Sequence, residues 1–314
     1  MTATVVVCAY TEDRWERLTQ AIRSIVAQQP VPAQVVVVID HNESLLHRVR
    51  GHVEEAGLSG VEVVSNRFTQ GLSGARNTGL EHARSEIVAF IDDDAEATPG
   101  WLAQLVAAFG DPWVVGVGGA IEPVWPSQRP GWFPREFDWV VGCTYQGMPT
   151  VRSEVRNPIG ANMAFRREPL RLIGGFDPSV GRVGTRPEGC EETAAAIRMR
   201  ALDARNRVLF EPRALVLHHV ELGRTSWRYF RRRCYAEGVS KAQVARLTSA
   251  DKALATERTY VRTVLPRAVG TSLRSAVRRR SPVAAGTAGA VIAGLTFTGV
   301  GYLAGASRPV QEHQ

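Results

Sequence analysis

With 314 residues, 44% hydrophobic and 22% charged, the chain can bury a large core, which excludes a disordered or fibrous protein. Its four cysteines, Cys8, Cys143, Cys190 and Cys234, stand at no metal-ligand or redox spacing, so a disulfide scaffold is excluded and a reducing compartment fits. The net charge of +7 is local: residues 224–280 carry 15 basic against 3 acidic residues, whereas the chain before them carries 22 against 27. This basic stretch lies just before an apolar tail, a placement that suits an anionic membrane surface or a lipid phosphate rather than nucleic acid.

Val5 to Val7 predict a first buried strand ending at Ala9-Tyr10-Thr11, and Thr4 to Ala9 is too short for the core of a signal peptide. A helix from about Arg14 to Gln28 follows, with Leu18, Ile22, Ile25 and Val26 on one face and Pro30 and Pro32 ending it. Gln34 to Asp40 reads as a second apolar strand with an aspartate at its exit; a helical segment and a third strand, Val61 to Ser65, come next. Strands alternating with helices at this spacing predict a parallel sheet. The stretch QGLSGARNTGLEHA then places Gly71, Gly74 and Gly79 where tight turns and close approach to a ligand are possible, with Arg76 and Asn77 as its polar members.

The apolar run Ile87 to Ile91 ends abruptly in Asp92, Asp93 and Asp94. An unbroken apolar run suits a strand buried on both faces, and three carboxylates cannot belong to that core. They belong at the strand's exit, where open α/β sheets bind ligands and where alternate carboxylates suit a divalent metal. A solvated acidic turn, with Asp94 or Thr98 capping a helix, fits the same residues. Further on, Trp125, Trp132, Phe133, Phe137 and Trp139 crowd one stretch, as aromatics that stack on sugar or lipid do, or as a loop packed on the sheet does.

Asp40 at one strand end, GLSGARNTG after the third strand and IDDDA at the next strand end together resemble the nucleotide-sugar half of glycosyltransferase family 2, inverting enzymes with the GT-A fold. The resemblance continues, in order, through NPIGANMAFRR (Asn157 to Arg167), IGGFDPSVGR (Ile173 to Arg182), CEETAAAIRMR (Cys190 to Arg200) and PRALVLHHV (Pro212 to Val220). Residues His218 to Ala242 are similar to a subgroup acting on polyprenyl-phosphate-linked sugars.

The resemblance implies a Rossmann-like, mostly parallel sheet with flanking helices, a UDP-sugar donor, a lipid-linked or glycan acceptor, and Mn²⁺ or Mg²⁺. It implies that Asp40 meets the nucleotide base, with Ala9, Tyr10, Glu12 and Gly71 lining the same pocket. Arg76 would face the diphosphate or brace the glycine turn, Asp92 would meet ribose or base, and Asn162 would present its amide to the donor. Asp94 and one of His218 and His219, here His218, would ligate the metal, with Asp93 assisting directly or through water. The family's Glu-Asp pair reads Glu191-Glu192 here; alignment favours Glu192 as the base, with Glu191 the alternative. Both open a helix, where the backbone dipole favours acidic residues in any case.

The expected organisation is a GT-A domain over residues 1–222, a basic and aromatic helical region over 223–280, a membrane segment over 281–307, and a tail over 308–314. Trp227, Tyr229, Phe230 and Tyr235 interleave with Arg228, Arg231, Arg232 and Arg233, a composition that suits a bilayer interface. Residues 281–307 carry no charge and would extend about 40 Å as a helix, enough to span a bilayer. Small residues at Gly286, Ala290, Gly294, Gly301 and Gly305 favour helix association, and a hairpin is the alternative to one span. Arg278, Arg279 and Arg280 before it predict a catalytic domain on the cytoplasmic face of the cell membrane, anchored by the C-terminus.

Overall fold

The structure is a computed structural model that describes residues 1–179, 189–247 and 260–307. The end of IGGFDPSVGR beyond residue 179 and the tail 308–314 lie outside the described residues.

Valine-rich runs build the first half of a nine-stranded sheet: β1 (Ala3–Ala9), β2 (Gln34–Ile39), β3 (Val61–Ser65) and β4 (Ile87–Asp92) pair in parallel in the order β3-β2-β1-β4. Their side chains divide between two layers, as a period of two requires. Val5, Val7, Val35, Val37, Ile87 and Ile91 share one core with α1 (Trp15–Val26), α2 (Glu43–Glu55) and α4 (Trp101–Ala107). Val6, Val36, Val38, Val88 and Phe90 share the other with α3 (Leu72–His82), α5 (Arg167–Leu172) and α6 (Glu191–Ala201). Burial on both faces explains why these strands read as continuous apolar runs.

The second half of the mostly parallel sheet is mixed. Here β8 (Asn162–Arg166) runs antiparallel between β4 and β6 (Val114–Val124), β6 pairs in parallel with β9 (Arg207–His219), and β5 (Ala95–Ala97) and β7 (Ser153–Val155) pair antiparallel with β9. The sheet is therefore parallel in its first four strands and mixed beyond them.

The glycine-rich stretch is a helix rather than a loop. Gly71, at φ 130°, turns the chain into α3, and a Cβ at Gly79 would sit 2.3 Å from Val6 Cγ1. The close approach that Gly79 permits is to β1, not to a ligand.

After β9 the chain forms α7 (Trp227–Leu247), a π-helical turn Tyr260–Val264, α8 (Leu265–Arg279) and α9 (Pro282–Ala306). Phe230 on α7 is fully buried among Trp132, Phe133 and Phe137, each with its ring centroid 5.4 Å away, so the aromatic stretch of residues 125–139 packs onto α7. Arg228, Arg231 and Arg232 remain exposed.

Among the described residues, α9 is the one helix long and apolar enough to cross a membrane, by length and composition. It is a single uninterrupted helix, not a hairpin, capped by Ser281, whose hydroxyl accepts from Ala284 N–H. It runs alongside α7 in the same direction, because its glycines admit the α7 backbone: a Cβ at Gly301 would lie 2.0 Å from the Tyr235 carbonyl oxygen, and one at Gly305 2.9 Å from Val239 Cα. Val283, Ile292, Val300 and Leu303 face away and are exposed. The substitution Gly301→Val should therefore part α9 from α7 and open residues 282–306 to limited proteolysis. Gly289→Ala, where an added Cβ meets nothing within 4 Å, should leave the digestion pattern unchanged. Equal protection of both variants would show that the glycine contact does not hold the helix.

Candidate active site

Parallel register sets the first part of the site. Cys8 pairs with Asp92 and Ala9 with Ile39, so Tyr10, Asp40 and Asp92 emerge at one edge of the sheet. Asp40 is not the cap of α2; Asn42 is, its Oδ1 accepting from Leu45 N–H at 3.0 Å. The Asp40 carboxylate instead accepts from Gly71 N–H at 2.9 Å and from Asn66 Nδ2 at 2.6 Å, fixing the turn into α3. Ala9 is buried, Tyr10 is exposed with the Arg14 guanidinium 5.6 Å from its ring centre, and Glu12 pairs with Arg48 at 3.2 Å.

The three aspartates differ sharply. Asp92 ends β4 with its side chain 29% exposed, whereas Asp93 and Asp94 are buried in the turn before β5. The antiparallel β5–β9 ladder pairs Ala95 with His218, and His219 N–H donates to the Asp94 carbonyl at 2.9 Å. This ladder is what brings a residue 124 positions later to the aspartate turn. His218 points inward, its Nε2 3.2 Å from Asp94 Oδ1, while His219 points to Glu96, 3.7 Å away on the other side.

Ligand atoms of Asp92, Asp94 and His218 lie within 4.8 Å of one another. Asp94 Oδ1 faces His218 Nε2 without a well-formed hydrogen bond, and His218 Nδ1 is buried with no hydrogen-bond partner. Two carboxylates and an imidazole, with buried atoms left unsatisfied, fit a divalent cation such as Mn²⁺ or Mg²⁺. Asp93 is not part of this cluster; Arg14 Nη1 donates to it at 2.9 Å and lies 3.2 Å from Asp94 Oδ2. Burial pushes Asp93 up to about 7 despite Arg14. Against the same burial, His218, Arg14 and Arg224 hold Asp94 well below the usual carboxylate range. Asp94, in turn, raises His218 well above an ordinary imidazole although burial opposes the charge.

A cavity of about 770 Å³ adjoins the cluster, and its wall takes in Arg76, Asp92, Glu191, Glu192 and His218. Ala9, Tyr10, Glu12, Asp40 and Gly71 lie outside that wall, at the neighbouring edge formed by the ends of β1 and β2. Cys190 precedes the two glutamates with φ 99°, a conformation rare for a residue with a Cβ, and turns the chain into α6.

The two glutamates have different surroundings. Glu191 is buried and paired with the buried Arg76, Nη1 to Oε1 at 2.5 Å. The same guanidinium donates to the Gly160 carbonyl at 3.0 Å and reaches Asp92 at 3.4 Å, so it joins α3, β4, the loop before β8 and α6. Glu192 is only partly buried, the Thr193 hydroxyl donates to it at 3.3 Å, and Arg76, paired with Glu191, favours its charge only from a distance. Desolvation and then the neighbouring Glu191 charge push Glu192 up to about 7.

Asn162 is a correction. It is fully buried in β8, its Oδ1 accepting from Trp101 Nε1 and its Nδ2 donating to the Ala120 and Ala214 carbonyls, each at 2.8 Å. Both of its amide hydrogens and its carbonyl oxygen bond within the fold, to β6, β9 and α4. Arg14 and Arg224 carried no signal in the sequence, because Asp94, which both approach, is distant in the chain.

Comparison with known proteins follows the same lines. Glycosyl transferase family 2 matches residues 4–174. The chain belongs to glycosyltransferase family 2. It is 34% identical, over 242 residues, to the glucosyl-dolichyl phosphate glucuronosyltransferase of Haloferax volcanii, an alignment covering 77% of this chain and 76% of that one. The pre-mycofactocin glycosyltransferase of Mycobacterium tuberculosis is 29% identical over 159 residues, covering 50% and 32%. Among solved structures, a mannosyltransferase from Pyrobaculum calidifontis in complex with GDP-Man and Mn²⁺ superposes with a TM-score of 0.60 at 20% identity, covering 94% of this chain and 86% of that one. GalNAc-T7 with UDP, GalNAc and Mn²⁺ gives 0.55 at 19% identity, covering 78% and 50%. The fold of this family 2 glycosyltransferase is GT-A, with helices flanking the mixed sheet.

Because Glu191 neutralises a buried guanidinium, Glu191→Gln should lower stability by about 3 kcal/mol, read by denaturant unfolding. Glu192→Gln, which removes a charge that its surroundings disfavour, should leave stability equal or higher. A reversal of that order would show that the two positions have been assigned the wrong way round.

Proposed function

We propose that this chain is an inverting, metal-dependent glycosyltransferase that moves a sugar from a nucleoside-diphosphate sugar, a UDP-sugar, to a hydroxyl of a lipid-linked acceptor at a membrane. One observation carries the reading: a carboxylate pushed up to about 7, Glu192, stands on the same cavity as the Asp92–Asp94–His218 cluster. A general base needs to be ionised near neutral pH and still basic enough to take a proton, and a value near 7 meets both conditions.

Asp92, Asp94 and His218 would hold the cation, and Arg14 and Arg224 keep Asp94 ionised. A divalent cation at that place neutralises charge on a departing nucleoside diphosphate. Glu192 accepts the proton of the acceptor hydroxyl as its oxygen bonds to the anomeric carbon. The bond from that carbon to the diphosphate breaks on the opposite side, and its electron pair leaves with the nucleotide. Glu191, tied to Arg76, stays in place and keeps the Glu192 carboxyl raised. The lipid-linked acceptor is supported by the Haloferax volcanii relative, whose name specifies a glucosyl-dolichyl phosphate, and by the apolar outward face of α9. Arginines 278–280 before α9 support attachment at the cytoplasmic face.

Two outcomes test this. Asp94→Ala should abolish Mn²⁺-dependent binding of UDP while the circular dichroism spectrum stays native; unchanged Mn²⁺ dependence would remove Asp94 from the metal site. Transfer should fall as pH drops through about 7, because Glu192 is protonated below that value. Glu192→Gln should lower transfer by about 10²-fold or more and flatten that acidic limb, with donor affinity retained. Full activity in Glu192→Gln would mean that an already ionised phosphate is the nucleophile instead.

A further inference from the structure

Helix α8 presents two outward rows of different chemistry. Its inner side rests on the protein: Leu265 is buried, and Ala268, Val269, Ser272, Ser275 and Ala276 are half-buried. Pro266, Gly270, Leu273 and Val277 recur at helical spacing and share an outward side. That side is open, with Leu273 48% and Val277 80% exposed, and a Cβ at Gly270 would meet nothing within 4 Å. Arg267, Arg274 and Arg278 form a second row beside it, and all three are exposed.

The charge of this part of the chain has one sign. Residues 260–307 hold six arginines, Arg262, Arg267, Arg274, Arg278, Arg279 and Arg280, and no aspartate or glutamate. An exposed apolar row flanked by guanidinium groups matches the boundary between anionic headgroups and acyl chains. There arginines reach lipid phosphate while apolar side chains sink below it. A nucleic acid would use the arginines and leave Leu273 and Val277 in water. A second copy of this chain would cover the apolar row only by setting two arginine rows against each other, which like charges oppose.

Helix α7 lacks the combination. Its Arg228, Arg231 and Arg232 are exposed, but Phe230 is buried and Tyr229 lines the cavity, so Trp227 is its one exposed aromatic residue. The ends of α8, by contrast, connect two features already described. Leu265, its first residue, lines the catalytic cavity, and the turn at Arg280 and Ser281 leads into α9, where exposed apolar residues resume at Val283.

We propose that α8 is the contact with anionic lipid: it lies in the plane of the bilayer surface, with Leu273 and Val277 below the headgroups and Arg267, Arg274 and Arg278 on lipid phosphate. This rests on the membrane-attached reading of the enzyme, and it assigns the contact to α8 rather than to the basic, aromatic start of α7. Because Leu265 belongs to the cavity wall, the helix that meets lipid also forms part of the catalytic cavity.

Flotation of the full-length protein with phosphatidylcholine vesicles, with and without phosphatidylglycerol, tests the assignment. The wild-type protein should bind the phosphatidylglycerol vesicles more tightly, and this preference should shrink at high salt. Arg267→Gln, Arg274→Gln and Arg278→Gln together should weaken that binding by about hundredfold. The same change at Arg228, Arg231 and Arg232 should weaken it less. Leu273→Ser with Val277→Ser should weaken it by about tenfold, a loss that contact through charge alone does not produce. Binding of UDP with Mn²⁺ should stay unchanged in all three variants, because every substituted residue is exposed. Wild-type affinity in the serine variant, or a greater loss from the α7 set than from the α8 set, overturns the assignment. If the wild-type protein binds both vesicles equally and the variants do the same, attachment lies elsewhere and the α8 assignment alone fails. If it binds neither vesicle, the membrane reading fails with it.

Discussion

The buried ion pair between Arg76 and Glu191 is the constraint on which the site depends. A guanidinium enclosed in protein persists only when its charge and its donors are matched, and here the match is made by four separate segments. Glu191 comes from α6, the Gly160 carbonyl from the loop before β8, Asp92 from the end of β4, and Arg76 itself from α3. Removing any one would leave a charge or donor uncompensated. The glycine pattern around Arg76 serves the same arrangement: α3 lies against β1 closely enough for the guanidinium to reach across the sheet's exit. A Cβ at Gly160 would come within 3.0 Å of Arg76 Nη2, so the loop, too, is shaped to this side chain.

From that fixed point the division of labour between adjacent carboxylates follows. Within the pair 191–192 one member is neutralised and the other is left raised by its neighbour. Within the triplet 92–94, burial lifts Asp93 and surrounding cations depress Asp94. Asp93 and Asp94, neighbours in sequence, thus acquire opposite proton affinities through the elements packed against each, a pattern expected where acid–base and metal chemistry meet in one cavity.

Much of this was legible in the sequence because it is local. The valine runs, the aspartates at a strand exit, the helix opening at Glu191 and the placement of His218 and His219 on opposite faces of a strand all follow from periodicity and motif order, whereas which histidine faces inward does not. What escaped is what distance in the chain conceals. Asn162 sits in a motif that suggested ligand contact, yet Trp101 and two strand carbonyls claim its amide, and none of them is near it in sequence. Arg14 and Arg224 look like ordinary surface residues until β5 and β9 pair and bring the Asp94 turn to them. The mixed half of the sheet was hidden for a related reason: β8 is apolar enough to pass for a parallel strand, and its direction depends on crossovers that no local pattern encodes. The basic residues of α7 read together as one bilayer-interface composition, whereas Arg233 is turned inward and its neighbours Arg231 and Arg232 are not.

The parallel pairing of α9 with α7 bears on depth. The glycine-bearing side of α9 is occupied by α7, leaving only the outward side, with Val283, Ile292, Val300 and Leu303, to meet lipid. To thread α9 through the full thickness of a bilayer while keeping that pairing would carry Arg233, Glu237 and Lys241 into hydrocarbon beside it, where ionised groups are strongly disfavoured. If the protein attaches to a bilayer as proposed above, keeping the pairing would make α9 a keel rather than a mast: it would lie along the body and set how far the protein sinks. A substrate embedded in the leaflet could then be met by sliding sideways, without leaving the membrane.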